Sequence, residues 1–132
     1  MVFVDTGAWY ASLVPKDPHH IRAIEWLSVN HSPLITTDYV IDETLTLLRV
    51  RGERTRALIL GKRFFQNQVA DVYKINASDL VLAWKTFEDF DDKDWSFTDC
   101  TSRVVMEELG IKVAFSFDHH FNQFGTVQVV PF

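Results

Sequence analysis

A chain of 132 residues has room for one domain with a substantial core, and 47% hydrophobic with 23% charged residues describes a globular fold rather than a disordered or fibrous chain. The net charge of -5 at pH 7 excludes a nucleic-acid binder that works through bulk positive charge, and the single cysteine, Cys100, excludes a disulfide framework or a cysteine-based zinc site. A lone thiol fits a reducing compartment, the cytoplasm. Met1 leads straight into strand-like residues with no basic leader, and no apolar run approaches the ~18 residues of a membrane span, so neither export nor insertion is expected.

Val2–Val4 predicts a short buried strand, and Thr6–Leu13 a helix stopped near Pro15. A second helix is predicted over His20–Val29, with Ile21, Ile24, Trp26 and Leu27 as its apolar positions. Pro33 opens a strand over Leu34–Thr36, and Thr37 or Asp38 caps a helix over Tyr39–Val50. Gly52 breaks that helix, and Glu53–Gln68 reads as another in spite of Gly61. Val72–Ile75 is a third strand, after which Asn76 or Ser78 caps a helix reaching about Phe90. Past the acidic turn Asp91–Asp94, Ser96 begins a helix that Gly110 ends in a left-handed conformation. Lys112–Phe117 and Val127–Val130 complete five strands. Strands that are continuous apolar runs, alternating with helices, imply a single three-layer α/β domain over residues 1–132: a parallel sheet of about five strands flanked by helices. Such sheets bind their ligands outside the carboxyl ends of the strands.

The charge is unevenly spread. Arg49, Arg51, Arg54, Arg56, Lys62 and Arg63 face only Glu53 within their stretch, whereas Glu88, Asp89, Asp91, Asp92 and Asp94 face only Lys93. An acidic protein with such a basic run can still offer a local face to RNA phosphates, to an acidic partner or to a second subunit; a solvated surface is the plainer reading of both runs.

Four carboxylates fall where the expected fold gathers side chains. Asp5 follows Val2–Val4 and Asp118 follows Val113–Phe117, so both stand at strand carboxyl ends. Asp99 lies in the opening turn of the helix that Ser96 begins. On its helix Glu43 has Tyr39, Val40, Thr46 and Leu47 as neighbours, and a bare charge on so apolar a face costs several kcal/mol. Asp42, next to Asp38 on the helix surface, is expected to face solvent. Each of the four has an ordinary alternative: Asp5 as a helix cap, Glu43 in an ion pair with an arginine, Asp99 in a capping box with Ser96, Asp118 as the start of a turn. Together they argue for more. Carboxylates packed within a few Å repel and raise one another's pKa, so a pocket built from four calls for a cation. A cage of hard oxygens suits Mg²⁺ or Mn²⁺ and the hydrolysis of phosphodiesters. Ser96 and Thr98 stand where their hydroxyls could orient Asp99.

The remaining chemistry-bearing residues read as ordinary structure. Adjacent histidines on a helix point about 100° apart and rarely chelate one ion, so His19, His20, His119 and His120 are expected to be surface or loop residues. Cys100 is expected to be a small buried residue. Trp9, Tyr10 and Trp95 lie near the acids in sequence and could stack on bases, with core packing the commoner use of such residues.

Val4-Asp5-Thr6, Glu43 inside the third helix, Trp95-Ser96-Phe97-Thr98-Asp99-Cys100 and Phe117-Asp118-His119-His120-Phe121, in this order and spacing, resemble the PIN-domain ribonucleases over essentially the full length, and within them the VapC-type toxins of toxin–antitoxin pairs. The resemblance places the four acids of the family on Asp5, Glu43, Asp99 and Asp118, and its small hydroxyl residue on Thr6. It implies a divalent-metal-dependent endoribonuclease, cytoplasmic, often homodimeric and held in check by a small antitoxin protein. None of the four acidic positions departs from the pattern.

Three other readings compete. A PIN nuclease in RNA processing without an antitoxin would share the chemistry. A receiver-type phosphoacceptor needs an adjacent acidic pair after its first strand and a lysine after its last-but-one strand, where this chain has Asp5 alone and Asp118; a haloacid-dehalogenase-type phosphotransferase needs a second Asp where Gly7 stands. A non-catalytic binding module would keep the pocket for structure alone.

Overall fold

Three residues suffice for the central strand because neighbours on both sides complete its ladder. In the computed structural model, which describes all 132 residues, β1 (Val2–Val4) is buried throughout and pairs in parallel with β2 (Leu34–Thr37) on one side and β4 (Val113–Phe115) on the other. β3 (Asp71–Tyr73) continues the sheet past β2 and β5 (Gln128–Val130) past β4, giving the order β3-β2-β1-β4-β5 with every pair parallel. The connecting helices are α1 (Thr6–Leu13), α2 (His20–Val29), α3 (Asp38–Val50), α4 (Arg54–Phe65), α5 (Ala77–Asp89) and α6 (Phe97–Leu109), with a 3-10 helix at His119–Phe124.

From β1 the chain steps to β2 and then β3, always in one direction, and then returns past β1 to β4 and β5. Right-handed crossovers therefore lay α1 to α4 on one face and α5, α6 and the 3-10 helix on the other. Trp26 of α2 against Phe115, 4.4 Å between ring centroids, marks the first interface; Phe121 of the 3-10 helix against Phe3, 6.2 Å apart, marks the second. Phe3, Phe64, Phe115, Phe121, Leu48 and Met106 are fully buried between the layers.

Where boundaries differ from the sequence expectation, a local bond decides. Ile75 is outside β3 because its backbone N–H goes to Asp38 Oδ1 at 3.0 Å instead of to the sheet. α4 stops at Phe65 rather than Gln68 because Asn67 turns left-handed, with φ 53°. Thr37, not Asp38, caps α3, its hydroxyl accepting from Val40 N, and Asn76 rather than Ser78 caps α5, with Asp79 closing the capping box. Gly110 ends α6 at φ 66°, as expected. β4 is three residues long rather than six, which leaves Ser116 and Phe117 as a bridge between the sheet and Asp118. No helix is long and apolar enough to cross a membrane.

Candidate metal centre

The strand order creates a crevice. β1 and β4 are neighbours whose outgoing connections leave in opposite directions, β1 towards β2 and β4 towards β5, so the carboxyl ends of the two strands form the topological switch point where open α/β sheets take their ligands. Asp5 is the first residue after β1, and Asp118 follows β4 across the Ser116-Phe117 bridge. Ser116 ties them together: its hydroxyl donates to Asp5 Oδ2 at 2.7 Å and accepts from the Asp118 backbone N–H at 3.0 Å. The other oxygen of Asp5, Oδ1, caps α1 by accepting from Ala8 N at 3.0 Å. Ser116 was not singled out from sequence, although it is the one polar residue inside the run Val113–Phe117.

The other two acids arrive on helices. α3 starts at the carboxyl end of β2, which brings Glu43 over the start of α1, where Thr6 Oγ1 donates to Glu43 Oε1 at 2.6 Å. The half-buried Glu43 is thus partnered by a hydroxyl and not by an arginine, while Asp42 faces solvent as expected. Asp99 sits in the first turn of α6 in a capping box: Ser96 Oγ accepts from Asp99 N, and Asp99 Oδ2 accepts from Ser96 N, both at 3.0 Å. Ser96 therefore holds Asp99 in the capping box that the sequence offered as its ordinary alternative. Thr98 lines the same cleft, but its hydroxyl bonds to none of the acids.

Asp5, Glu43, Asp99 and Asp118 line one cleft of about 170 Å³, together with Thr6, Gly7, Val40, Thr98 and Ser102. Val40 is the only hydrophobic contributor. Capping and supporting bonds use Asp99 Oδ2, Asp118 Oδ1 and Glu43 Oε1, so Asp99 Oδ1, Asp118 Oδ2 and Glu43 Oε2 take no hydrogen bond from the protein. Unclaimed carboxylate oxygens from three elements thus line one polar cleft and are of the type a hard divalent cation takes, although the ligand atoms that come within 4.8 Å of one another are those of Asp118, His119 and His120 rather than any three of the four acids.

The histidines need a correction. His119 is exposed, but His120 is not a surface residue: its ring nitrogen Nδ1 lies 3.0 Å from Asp99 Oδ2 and 3.2 Å from Asp118 Oδ1, and its side chain is only 16% exposed. The 3-10 helix turns the backbone just after Asp118, which swings the second histidine of the pair inward. His19 stacks on Phe117 at 4.5 Å, and His20 Nδ1 lies 2.7 Å from the Ala11 carbonyl oxygen. Trp9, Tyr10 and Trp95 are buried in the core and offer no face to a base; Cys100 is buried as expected, and burial with the nearby Asp99 charge pushes its thiol up to about 11.

Electrostatics in the cleft oppose the empty, fully ionised state. Burial pushes the Asp5 carboxyl up to about 7, against the pull of its bonds from Ser116 and Ala8, and the charges of Asp118 and Asp99 push the same way as burial. Burial also raises Asp99, with Asp118 adding to it, while the Ser96 N–H and His120 hold it back. A divalent cation would reverse both shifts.

The basic run is elsewhere. At 1.5 Å per helical residue, Arg49 lies roughly 9 Å further along α3 than Glu43. Arg49 borders a groove between α3 and α4, Arg51 lies over the Tyr10 ring at 4.9 Å, Arg56 pairs with Glu53 at 2.6 Å, and Arg54 is exposed.

Residues 2–127 match the family model of the PIN domain. The chain belongs to the PIN-domain family. This PIN domain is 33% identical over 131 residues, 99% of both chains, to the 23S rRNA-specific endonuclease VapC20 of Mycobacterium tuberculosis. It is 30% identical over 128 residues to a VapC ribonuclease of Archaeoglobus fulgidus, covering 90% of this chain and 78% of the other. Its fold overlays the crystal structure of VapC20, a Sarcin-Ricin loop cleaving toxin, with a TM-score of 0.92 and 31% identity over 99% of this chain and 100% of that one. FitAcB of Neisseria gonorrhoeae, at 14% identity and a TM-score of 0.66, shares the fold. The PIN domain described here is a ribonuclease of the VapC type, in a family of nucleases that use divalent cations.

Proposed function

We propose that this PIN domain is the toxin of a toxin–antitoxin pair, an endoribonuclease whose Asp5, Glu43, Asp99 and Asp118 hold Mg²⁺ or Mn²⁺ at the β1/β4 switch point. The observation that carries the reading is the meeting of four remote acids in one cleft with three of their oxygens unclaimed by the protein. When bound, the cation supplies a hydroxide from water at neutral pH and stabilises charge on the phosphorane and the leaving oxygen. The residues of the chain do the rest. Asp99, Asp118 and Glu43 present their free oxygens. Asp5, whose two oxygens each accept one hydrogen bond and keep a lone pair, would meet the cation from the crevice floor and give up its proton as the cation binds. Thr6, Ser96 and Ser116 hold the carboxylates in rotamer. No covalent enzyme intermediate is needed.

Ribosomal RNA is the substrate to test first, because the relative at 33% identity carries 23S rRNA specificity in its name. The antitoxin would be a short protein that seats an apolar, acidic segment in the α3–α4 groove, where Leu45, Leu58 and Phe65 lie between Arg49 and Lys62. The active species would be a cytoplasmic homodimer. Purified protein incubated with total RNA should cut only with Mg²⁺ or Mn²⁺ present and not in chelator, and mapped ends should fall at few sites. Asp99→Asn should abolish the cuts while leaving the circular dichroism unchanged. Full cleavage by that variant would defeat the proposal.

A further inference from the structure

His120 is the one side chain outside the four acids that lies against the carboxylate oxygens of two of them, Ser116 meeting the carboxylate of Asp5 but only the backbone of Asp118. Asp99 comes from α6 and Asp118 from the turn after β4, 21 residues apart from His120 and two residues before it respectively. The ring Nδ1 lies 3.0 Å from Asp99 Oδ2 and 3.2 Å from Asp118 Oδ1, and the His120 backbone N–H donates to the same Asp118 oxygen at 2.9 Å. Both neighbours of Nδ1 are carboxylate oxygens, which only accept, so Nδ1 carries the proton. The ring is fixed from below: the next residue, Phe121, is fully buried and packs on Phe3 of the central strand. Its neighbour His119 is more loosely placed, with a side chain 76% exposed and its ring Nδ1 3.7 Å from Asp118 Oδ1.

We infer that His120 is a positioning residue for the cation, its Nδ1–H holding Asp99 Oδ2 and its backbone N–H holding Asp118 Oδ1, so that the other oxygen of each is left for the ion. Two like charges carried on separate elements repel, and nothing else in the structure bridges them. With Asp99 Oδ2 held by Ser96 N and the ring, and Asp118 Oδ1 held by His120 N with the ring 3.2 Å away, each carboxylate keeps one oxygen free of hydrogen bonds. Partners that orient the ligands of a metal in this way typically set its affinity by roughly ten- to hundred-fold. The inference rests on the proposed cation site and on no property of the RNA.

The test is Mn²⁺ affinity, followed by the electron paramagnetic resonance of free Mn²⁺ without RNA, on wild type, His120→Phe, His120→Asn and His119→Ala. His120→Phe keeps the ring volume and removes the donor; it should weaken Mn²⁺ binding by roughly ten- to hundred-fold. His120→Asn places an amide N–H where Nδ1 stood and should recover affinity to within about threefold of wild type, a rescue that a purely packing role would not produce. His119→Ala should match wild type. Unchanged or tighter binding by His120→Phe would overturn the inference, tighter binding meaning that the ring competes with the ion for the acids; an Asn variant as weak as the Phe variant would overturn it too. Wild type that binds no Mn²⁺ at all would instead overturn the cation site itself, and so separate the two failures.

Discussion

Two recesses of this molecule are built from opposite materials. The crevice at the switch point encloses about 170 Å³ around four acids and a single hydrophobic residue, whereas the groove between α3 and α4 encloses about 570 Å³ lined by Leu45, Ala57, Leu58 and Phe65 with Arg49 and Lys62. Phe65 is 79% and Leu58 65% exposed, while Asp5 is 6% exposed. Size points to the groove and electrostatics to the crevice. An ion needs little room and a few converging oxygens, so the smaller recess is the chemical one; a macromolecular partner needs area and exposed apolar side chains, so the larger is suited to docking. The separation also explains how a chain of net charge -5 can carry a basic run without placing it among its acids.

The widest contrast between the recesses should appear in cleavage. Asp99→Asn removes a free oxygen from the crevice, and Asp5→Asn removes the buried charge on its floor. Either should lower RNA cleavage by about a thousandfold, equivalent to the several kcal/mol of charge stabilisation that a bound cation supplies. Neither should unfold the protein, because Asn can still cap α1 or α6 through its side-chain oxygen. Gel assays of RNA cleavage with melting curves check both halves.

Stability against pH is the next sharpest probe of the crevice. The folded Asp5 carboxyl is raised from 3.8 to about 7, so the fold favours its protonated form. Its contribution is therefore complete below about pH 4 and disappears as the pH climbs to about 7, a span worth on the order of 4 kcal/mol at 1.36 kcal/mol per unit. Asp99, raised in the same direction, adds to the slope. Wild type in chelator should melt at falling temperature across that window, Asp5→Asn should show a flatter profile, and Mn²⁺ should restore the wild-type melting temperature most at the alkaline end. A metal-free profile that is the same for wild type and Asp5→Asn would contradict this account of the crevice.

The groove should behave in the reverse way. Leu58→Asp with Phe65→Asp places two acids on exposed apolar positions of α4, where stability should change by no more than about 0.5 kcal/mol per site. RNA cleavage should stay at the wild-type rate, while affinity for a cognate antitoxin, measured by calorimetry, should drop about a hundredfold as the two central contacts are lost. Loss of cleavage without loss of antitoxin binding would invert the assignment of the two recesses.

Much of this was legible in the chain because it is written locally. Val2–Val4 and Val113–Phe117 announce buried strands, and a parallel sheet implies chemistry at their carboxyl ends, which placed Asp5 and Asp118 before any contact was known. Thr37, Asn76, Ser96 and Gly110 announce helix ends through side chains that act within three residues. His120 and Ser116 were missed for the converse reason. Whether the second histidine of a pair points inward depends on a 3-10 turn, which has no strong sequence signal, and the link from Ser116 to Asp5 spans 111 residues. The basic run was legible as charge but not as place, because only the length and direction of α3 carry it away from Glu43.

The smallest effect tests that missed serine. Ser116→Ala removes the bond at 2.7 Å that stabilises the ionised form of Asp5, and it leaves the Asp118 backbone N–H without its acceptor. A hydrogen bond to a charged group contributes about 1.5–3 kcal/mol, part of which water entering the cleft would restore, so cleavage at neutral pH should fall about tenfold, far less than for Asp99→Asn. The direction of the pH effect distinguishes this role from simple packing. In the cation-free protein Ser116 lowers the Asp5 pKa, so its loss should raise it, let protons compete better with the cation for that carboxylate, and shift the acid limb of the cleavage profile to higher pH, with activity recovering towards wild type under alkaline conditions. A uniform tenfold loss at every pH would mean that Ser116 acts on Asp118 alone, and that the crevice floor is held by burial and the Ala8 N–H without it.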